Sequence, residues 1–480
     1  MTDIVFQAAN VTPSPRQVAW QELEFIAFIH FTVNSFTNRE WGDGTADPSG
    51  FNPTEFDAAQ WVNICRDAGM KMLVLTVKHH DGFCLWPSRF TDHTVRNSPW
   101  KNGRGDIVRE VADACREGGI KFGVYVSPWD RHEPCYGDSP VYNDFFRNQL
   151  RELLTNYGPV YDVWFDGACG EGPNGKMQSY DWDSYYALIR ELQPDAVISV
   201  LGPDVRWCGN EAGETRASEW SVVPARMFDQ ATIAADSQQA EHDTAALQAI
   251  PWHAQDLGGR DAIRNESELM WFPAETNTSI RPGWFYHPDQ DDKVKSLAHL
   301  LDVYYGSVGG NSVFLLNLPP DTRGLIHEND ARRVRELGAL IRATFRHNLA
   351  AGGTATASEV RGDDSAYAAS NIIDGNKKTY WSPEDGTTAA TIEFDLGEER
   401  VFNRAMLQEQ IRVGQRIESF GLDVWDGTGW REIAKATTVG YKRLLRFDDV
   451  RGRRVRVRIL ESRVCPTLSN FGLFHAPSPE

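Results

Sequence analysis

No run of about 18 apolar residues, the length a membrane-spanning helix needs, interrupts the 480-residue chain. The opening stretch, MTDIVFQAANVTPSPRQ, lacks the basic block and then the apolar block of a secretory leader. The expectation is a cytoplasmic protein with no membrane partner, or a secreted one if a leader once preceded Met1. The seven cysteines, at 65, 84, 115, 135, 169, 208 and 465, are odd in number, scattered and never spaced CxxC. That pattern argues against a disulfide scaffold and against a structural zinc site. Basic residues are outnumbered by acidic ones, 49 to 67, and a net charge of −18 repels a polyphosphate backbone, so nucleic acid is not an expected partner.

What is present is a soluble-type composition, 41% apolar and 24% charged, over a length too great for one ordinary core. One large domain and a smaller one are expected. From residue 25 to about 205, short apolar runs alternate with amphipathic segments. FIAFIHF (25–31) reads as a strand; DAAQWVNICRDAGM then opens with Asp57 three before Gln60, a capping-box spacing, and ends at Gly69. The phrase repeats with strands MKMLVLTVK (70–78), IKFGVYV (120–126), YDVWFD (161–166) and AVISVLG (196–202), each preceded by a helical segment. LMWFPAE (269–275) and SVFLLNL (312–318) offer two more. This grammar predicts a (β/α)8 barrel over residues 1–345. A doubly wound open sheet competes, but no GxGxxG follows the first strand.

Beyond a linker at 346–356 the period changes to two. TIEFDLG, FGLDVWDG and RRVRVRIL place Ile392, Phe394 and Leu396, then Phe420, Leu422 and Val424, then Val455, Val457 and Ile459 on single faces. Residues 357–480 therefore read as an antiparallel β-sandwich.

In a barrel of this kind the chemistry gathers where strands run into the loops that follow them. The first strand ends at His30, with Asn34, Glu40 and Trp41 in its loop; the second ends in KHHDGF, the third in SPWD, the fourth at Asp166. Singly, a strand-end Asp caps a turn, a lone His fills a core, and Trp41, Trp86 and Trp129 pack. Together these groups would face one mouth. The adjacent His79 and His80, in an extended strand, point to opposite faces and share an ion poorly. No HxH marks the first strand either, so no catalytic metal and no cofactor is expected. Imidazoles that bond ring hydroxyls and indoles that cover an apolar sugar face suit a carbohydrate better.

Six strings, FIHFTVNSFTNREWGDG, VLTVKHHDGFCLWPS, KFGVYVSPWDRH, VYDVWFDGACGEGPNG, GPDVRWCGNEAG and SIRPGWFYH, resemble in order those of the α-L-fucosidases of glycoside hydrolase family 29. The likeness is greatest to the branch that prefers α-1,3- or α-1,4-linked fucose on a branched acceptor. It implies a retaining hydrolase of fucosylated oligosaccharides with Asp166 as nucleophile, the glycines after it leaving room for the sugar. It implies Glu211, in GNEAG, as acid/base, with Glu214 and then Glu219 as the nearby alternatives. It implies further that His30, His79 and His80 contact fucose, with Glu40, Trp41 and Trp129 nearby and Trp284 closing over the ring. The C-terminal part resembles a discoidin-like, carbohydrate-binding module through ASNIIDGNKKTYWSP. In such modules this turn holds calcium, here near Asp374, Asn376 and Thr379, although the usual late acidic residue is missing from LSNFGLFHAP. A catalytically silent fucose-binding protein and a metal-dependent barrel hydrolase are the competing readings.

Overall fold

The structure is a computed structural model and describes residues 3–237 and 256–477. Its strands run β1 (Phe25–Ile29), β2 (Met72–Lys78), β3 (Lys121–Val126), β4 (Asp162–Phe165), β5 (Val197–Val200), β6 (Arg206–Trp207), β7 (Val222–Pro224), β8 (Leu269–Trp271), β9 (Ala274–Ser279) and β10 (Ser312–Asn317). Eight of these form one parallel sheet in the order β5-β4-β3-β2-β1-β10-β9-β6. A parallel bridge between Ser199 and Val205 joins the two ends and closes the barrel.

The strands are apolar on both faces because both are covered. In β1, Phe25, Ala27 and Ile29 pack outward against the helices, while Ile26 and Phe28 fill the lumen beside Trp20, Val74, Trp164 and Leu315. Six helices have clear sequence causes or caps: α1 (Ala58–Ala68), α2 (Ile107–Gly118), α3 (Ser139–Asn156), α4 (Trp182–Leu192), α5 (Leu297–Ser307) and α6 (Glu328–Phe345). Asp57 caps α1 through the amides of Ala59 and Gln60. Only half of the expected capping box forms, since the Gln60 side chain instead pairs with the backbone of Ile326.

Two expectations need correction. LMWFPAE is not a barrel strand: Leu269–Trp271 pairs antiparallel with β7 outside the barrel, and the barrel strand begins at Ala274. The βα repeat also lapses after β5, where a short turn leads directly to the two-residue β6. Val200 takes φ +68 there, a strained conformation for a β-branched residue. Asp204 holds the turn, its Oδ2 accepting from the Ile198 amide at 2.8 Å and pairing with Arg190.

The C-terminal part is an antiparallel sheet of β11 (Thr354–Ala357), β12 (Ala390–Gln408), β13 (Ile417–Trp425), β14 (Trp430–Ala436), β15 (Arg443–Ser462) and β16 (Asn470–Phe474). The edge strand β11 begins inside the segment expected as linker. β12 and β15 are long enough to serve two layers: their paired halves are flanked by β11 and β13 at one end and by β16 at the other. The alternating residues predicted to face inward do so, and Phe394 stacks on Phe471 across the layers at 4.1 Å.

Helices α1 and α6 touch through Gly338, where a Cβ would lie 2.5 Å from the Ala68 backbone. Backbone atoms cannot yield, so Gly338→Ala should lose about 1–2 kcal/mol of stability, overpacking outweighing the gain in helix propensity. Thermal unfolding should show a lowered midpoint for this variant and none for Gly50→Ala, where the added methyl meets open space.

Candidate active site

Asp166 follows the last residue of β4 at the C-terminal mouth of the barrel. Its Oδ1 accepts from the Ala168 amide at 2.8 Å and its Oδ2 from the Tyr125 hydroxyl at 2.7 Å. Tyr125 comes from β3 and stacks on Trp164 at 5.0 Å, so two strands fix one carboxylate. The glycines that follow serve the protein's own packing, a correction to the expectation that they admit the sugar. A Cβ on Gly167 would meet Ser237 Oγ at 2.1 Å, and one on Gly170 the Trp129 ring at 2.5 Å.

The three predicted histidines converge. His30 follows the last residue of β1, and its Nδ1 lies 2.9 Å from Asn317 Oδ1. The Asn317 amide nitrogen donates to the Trp284 carbonyl, and its Oδ1 accepts from the His30 backbone N–H, so that oxygen can only accept. The proton therefore sits on His30 Nδ1, and Nε2 presents a lone pair. The same logic applies to His80: Ser127 gives its proton to the Trp129 carbonyl at 2.7 Å, so it accepts from His80 Nδ1, also at 2.7 Å. His80 Nε2 then faces Asp166 Oδ2 at 3.6 Å. Burial pushes His30 down to about 3 and His80 down to about 4, the latter opposed by the charge of Asp166. His79, lowered well below the ordinary value by burial and by its neighbours His80 and His30, stacks on Tyr125.

The argument that His79 and His80 diverge fails. β2 ends at Lys78, the chain turns, and the two rings approach to 4.2 Å. With Asp166 they offer ligand atoms within 4.8 Å of one another. Such a cluster has the donor set for a cation as well as for sugar hydroxyls.

Glu211 projects from the loop after β6. Asn210 shapes that loop by accepting from the amides of Ala212 and Glu214, with Gly213 at φ +81. Glu211 is half-buried and its Oε2 accepts from the Trp284 indole at 2.9 Å. Lys295, pushed down to about 8 by burial, is held up by the charge of Glu211. Glu214 is exposed, whereas Glu219 is buried in ion pairs with Arg206 and Arg216. That commitment removes Glu219 from the candidates.

Trp284 lies 5.1 Å from His30, between that ring and Glu211. Glu40 does not open into the mouth as a simple sugar contact: its oxygens accept from the amides of Trp284 and Phe285 and pair with His287 at 2.6 Å. It pins the loop that carries Trp284. Trp41 and Trp129 stand 5.6 Å apart and both flank His80. Trp86 is buried and bonds Glu152, away from this wall.

Sequence reasoning missed Tyr125, Ser127, Asn317 and Lys295. Two carried a readable signal, since Asn317 is the last polar residue of its strand and Tyr125 is a polar residue at a lumen-facing position. Far from the mouth, Asp374, Asn376 and Thr379 do come together, in an exposed turn where Asp374 accepts from the Asn376 amide at 2.6 Å and the Thr379 hydroxyl at 2.7 Å.

Comparison with known proteins identifies both parts of the chain. The Alpha-L-fucosidase family matches residues 8–344, and the F5/8 type C domain matches residues 354–469. Alpha-L-fucosidase 1 of Arabidopsis thaliana is 42% identical over 467 residues, covering 96% of this chain and 87% of the plant protein. A family 29 fucosidase of Ruminococcus gnavus, solved in complex with fucose, is 33% identical with a TM-score of 0.84, over 98% of this chain and 96% of that one. A glycoside hydrolase 29 family member from a rumen bacterium is 37% identical with a TM-score of 0.77, over 98% and 78% of the respective chains. The chain belongs to the alpha-L-fucosidase family of glycoside hydrolases.

Proposed function

We propose that this fucosidase works with retention, removing terminal α-1,3- or α-1,4-linked fucose from branched oligosaccharides, with Asp166 as nucleophile and Glu211 as acid/base. The observation that carries the reading is the Asp166 carboxylate, braced by Tyr125 and Ala168 beside imidazoles that offer lone pairs. In the first step an Asp166 oxygen bonds the anomeric carbon while the bond to the acceptor oxygen breaks. Glu211 gives that oxygen its proton. In the second step water loses a proton to Glu211 and attacks the same carbon, releasing Asp166 and fucose; two inversions retain the configuration. His30 and His80, neutral and with Nδ1 tethered, accept hydroxyl protons of the sugar through Nε2. Trp41 and Trp129 supply apolar faces at the rim for a branched acceptor.

Asp166→Gly should abolish turnover on every fucoside. Glu211→Ala should lower kcat/KM on branched fucosides by about 10²–10⁴ while sparing activated aryl fucosides, because a good leaving group needs no proton. Azide should yield inverted β-fucosyl azide with the first variant and retained α-fucosyl azide with the second. A Glu211→Ala enzyme with normal rates on branched substrate would move the role to Glu214.

A panel of α-1,2-, α-1,3-, α-1,4- and α-1,6-fucosylated oligosaccharides, scored for released fucose beside an aryl fucoside, tests the linkage. Branched α-1,3 and α-1,4 substrates should lead. Equal or better turnover of the aryl compound overturns that preference.

The histidine pKa values set a third expectation. A lone pair on His80 Nε2 is present above its folded value of about 4 and lost below it. KM should therefore stay level from neutral pH to about 5 and climb as pH falls toward 4. The folding sign is the same: a histidine lowered from the ordinary 6.5 contributes stability that is full above 6.5 and drains as pH falls toward 4. His80→Gln should flatten that part of the stability profile, measured by chemical unfolding at each pH.

A further inference from the structure

From the contacts between barrel and sandwich, we infer that the C-terminal module is a positioning element for the Glu211 loop: Gln415, Thr437 and Arg443 grip the backbone from which Glu211 is hung. The inference rests on the acid/base reading of Glu211.

The loop leaves β6 at Trp207 and returns at Trp220. Its neck is closed by the buried Glu219, which pairs with Arg206 at the start and with Arg216 on the return at 3.3 Å. Arg216 also donates to the Cys208 carbonyl at 3.0 Å, and Arg206 to the Trp220 carbonyl at 3.1 Å. These bonds hold the two sides of the loop together. The loop's outer side is held by the sandwich.

Gln415 Nε2 donates to the Glu219 carbonyl at 3.0 Å, and its Oε1 accepts from the Ser221 amide at 2.7 Å. Two residues earlier, the Ala217 carbonyl receives the Thr437 hydroxyl at 2.8 Å and Arg443 Nη1 at 3.0 Å. Each sandwich residue thus bonds backbone, which fixes the chain path and leaves side chains free to differ. From the barrel side, Asn311 donates to the same Glu219 carbonyl at 3.0 Å.

The sandwich residues are themselves held firmly. Gln415 is fully buried and follows Gly414, whose φ of +103 and 2.1 Å Cβ approach to the Ala9 carbonyl admit only glycine. Gly440 lies against Asn311, where a Cβ would stand 2.2 Å from the amide carbon. Tyr441 N–H donates to Asn311 Oδ1 at 2.7 Å. The buried Glu409 carboxyl joins both segments, accepting from the amides of Arg416, Ile417 and Gly440 at 2.7, 3.0 and 2.6 Å. Two connecting loops of the module, one between β12 and β13 and one between β14 and β15, therefore act as one bracket. A proton donor displaced by about 1 Å loses on the order of 100-fold in rate, so bracing of this kind bears on the acid step.

The test separates proton donation from folding and from binding. Gln415→Leu, Thr437→Ala and Thr437→Ser are assayed in the full chain on a branched fucoside and on an aryl fucoside with a good leaving group, beside Glu211→Ala. We expect Gln415→Leu and Thr437→Ala to lose roughly tenfold or more in kcat/KM on the branched substrate and little on the aryl one. KM should be unchanged, and Thr437→Ser, which keeps the donor, should recover the rate. Equal losses on both substrates, or none on either, overturn the inference. If Gln415→Leu fails to fold, Thr437→Ala, on an exposed contact, decides alone. A Glu211→Ala enzyme that itself shows no leaving-group dependence would instead defeat the acid/base reading, a different outcome from sandwich variants that behave as wild type beside a responsive Glu211→Ala.

Discussion

Closure of the barrel at the Ser199–Val205 bridge is the constraint on which the site depends. Parallel strands bring their C-terminal ends to one face, but only a closed sheet brings the first and last of them within reach of one small sugar. Here the closing strand has two residues and follows β5 with no helix between. The chain accepts φ +68 at Val200 to make that turn, and Asp204 offsets the strain by bonding the Ile198 amide and pairing with Arg190. β6 pairs with Ala274 and Glu275 at the start of β9, and the loop that follows runs up beside that strand to the Ala212–Thr278 bridge, which sets Glu211 near the mouth.

Beneath the mouth the lumen is not simply apolar. Trp164 stacks on Tyr125, which bonds Asp166, and the Trp164 indole donates to Glu275 at 3.0 Å. Burial and the facing Asp162 raise Glu275 well above the ordinary carboxyl value, which favours its neutral form. Asp162, pushed up to about 7 by burial, accepts from Ser199 and Trp20. Two carboxyls can share this space because at least one of them carries its proton. The indole and phenol above them rest on a floor that carries at most one negative charge.

Much of this was legible from periodicity. Strands β1 to β5 and β10 follow apolar runs bounded by caps and glycines, and the alternating residues of β12, β13 and β15 gave their inward faces directly. What failed did so for identifiable reasons. LMWFPAE shares only its last two residues with the true strand AETNTS, and the barrel strand is the polar one because its lumen face carries Glu275, Asn277 and Ser279. A hydrophobicity rule selects the wrong neighbour. Opposite faces for the adjacent histidines require β2 to run through both of them, two residues past its end at Lys78. Of the site, the strand-end rule located His30, His80 and Asp166; applied to β10 it also reaches Asn317, but nothing in the sequence tells that Asn317 and Ser127 fix the tautomers of the two histidines. Glu40 was drawn to the right place with a different task, because charge and position do not tell whether a carboxylate meets ligand or backbone.

The two carboxylates at the mouth are supported in opposite ways. Asp166 is local: its strand, the next amide but one and one tyrosine hold it, all within the barrel. Glu211 is remote from regular structure and takes its place from a buried ion-pair neck, an indole and a bracket formed by another domain. The chemical tasks proposed for them match this division. A nucleophile must meet one carbon along one line, and a rigid strand end suits it. An acid/base must give a proton to one oxygen and then take one from water, a task suited to a loop held at its base rather than a residue locked in a strand. Building that loop's support from the sandwich makes the C-terminal module part of the active-site architecture, whether or not it also binds a glycan of its own.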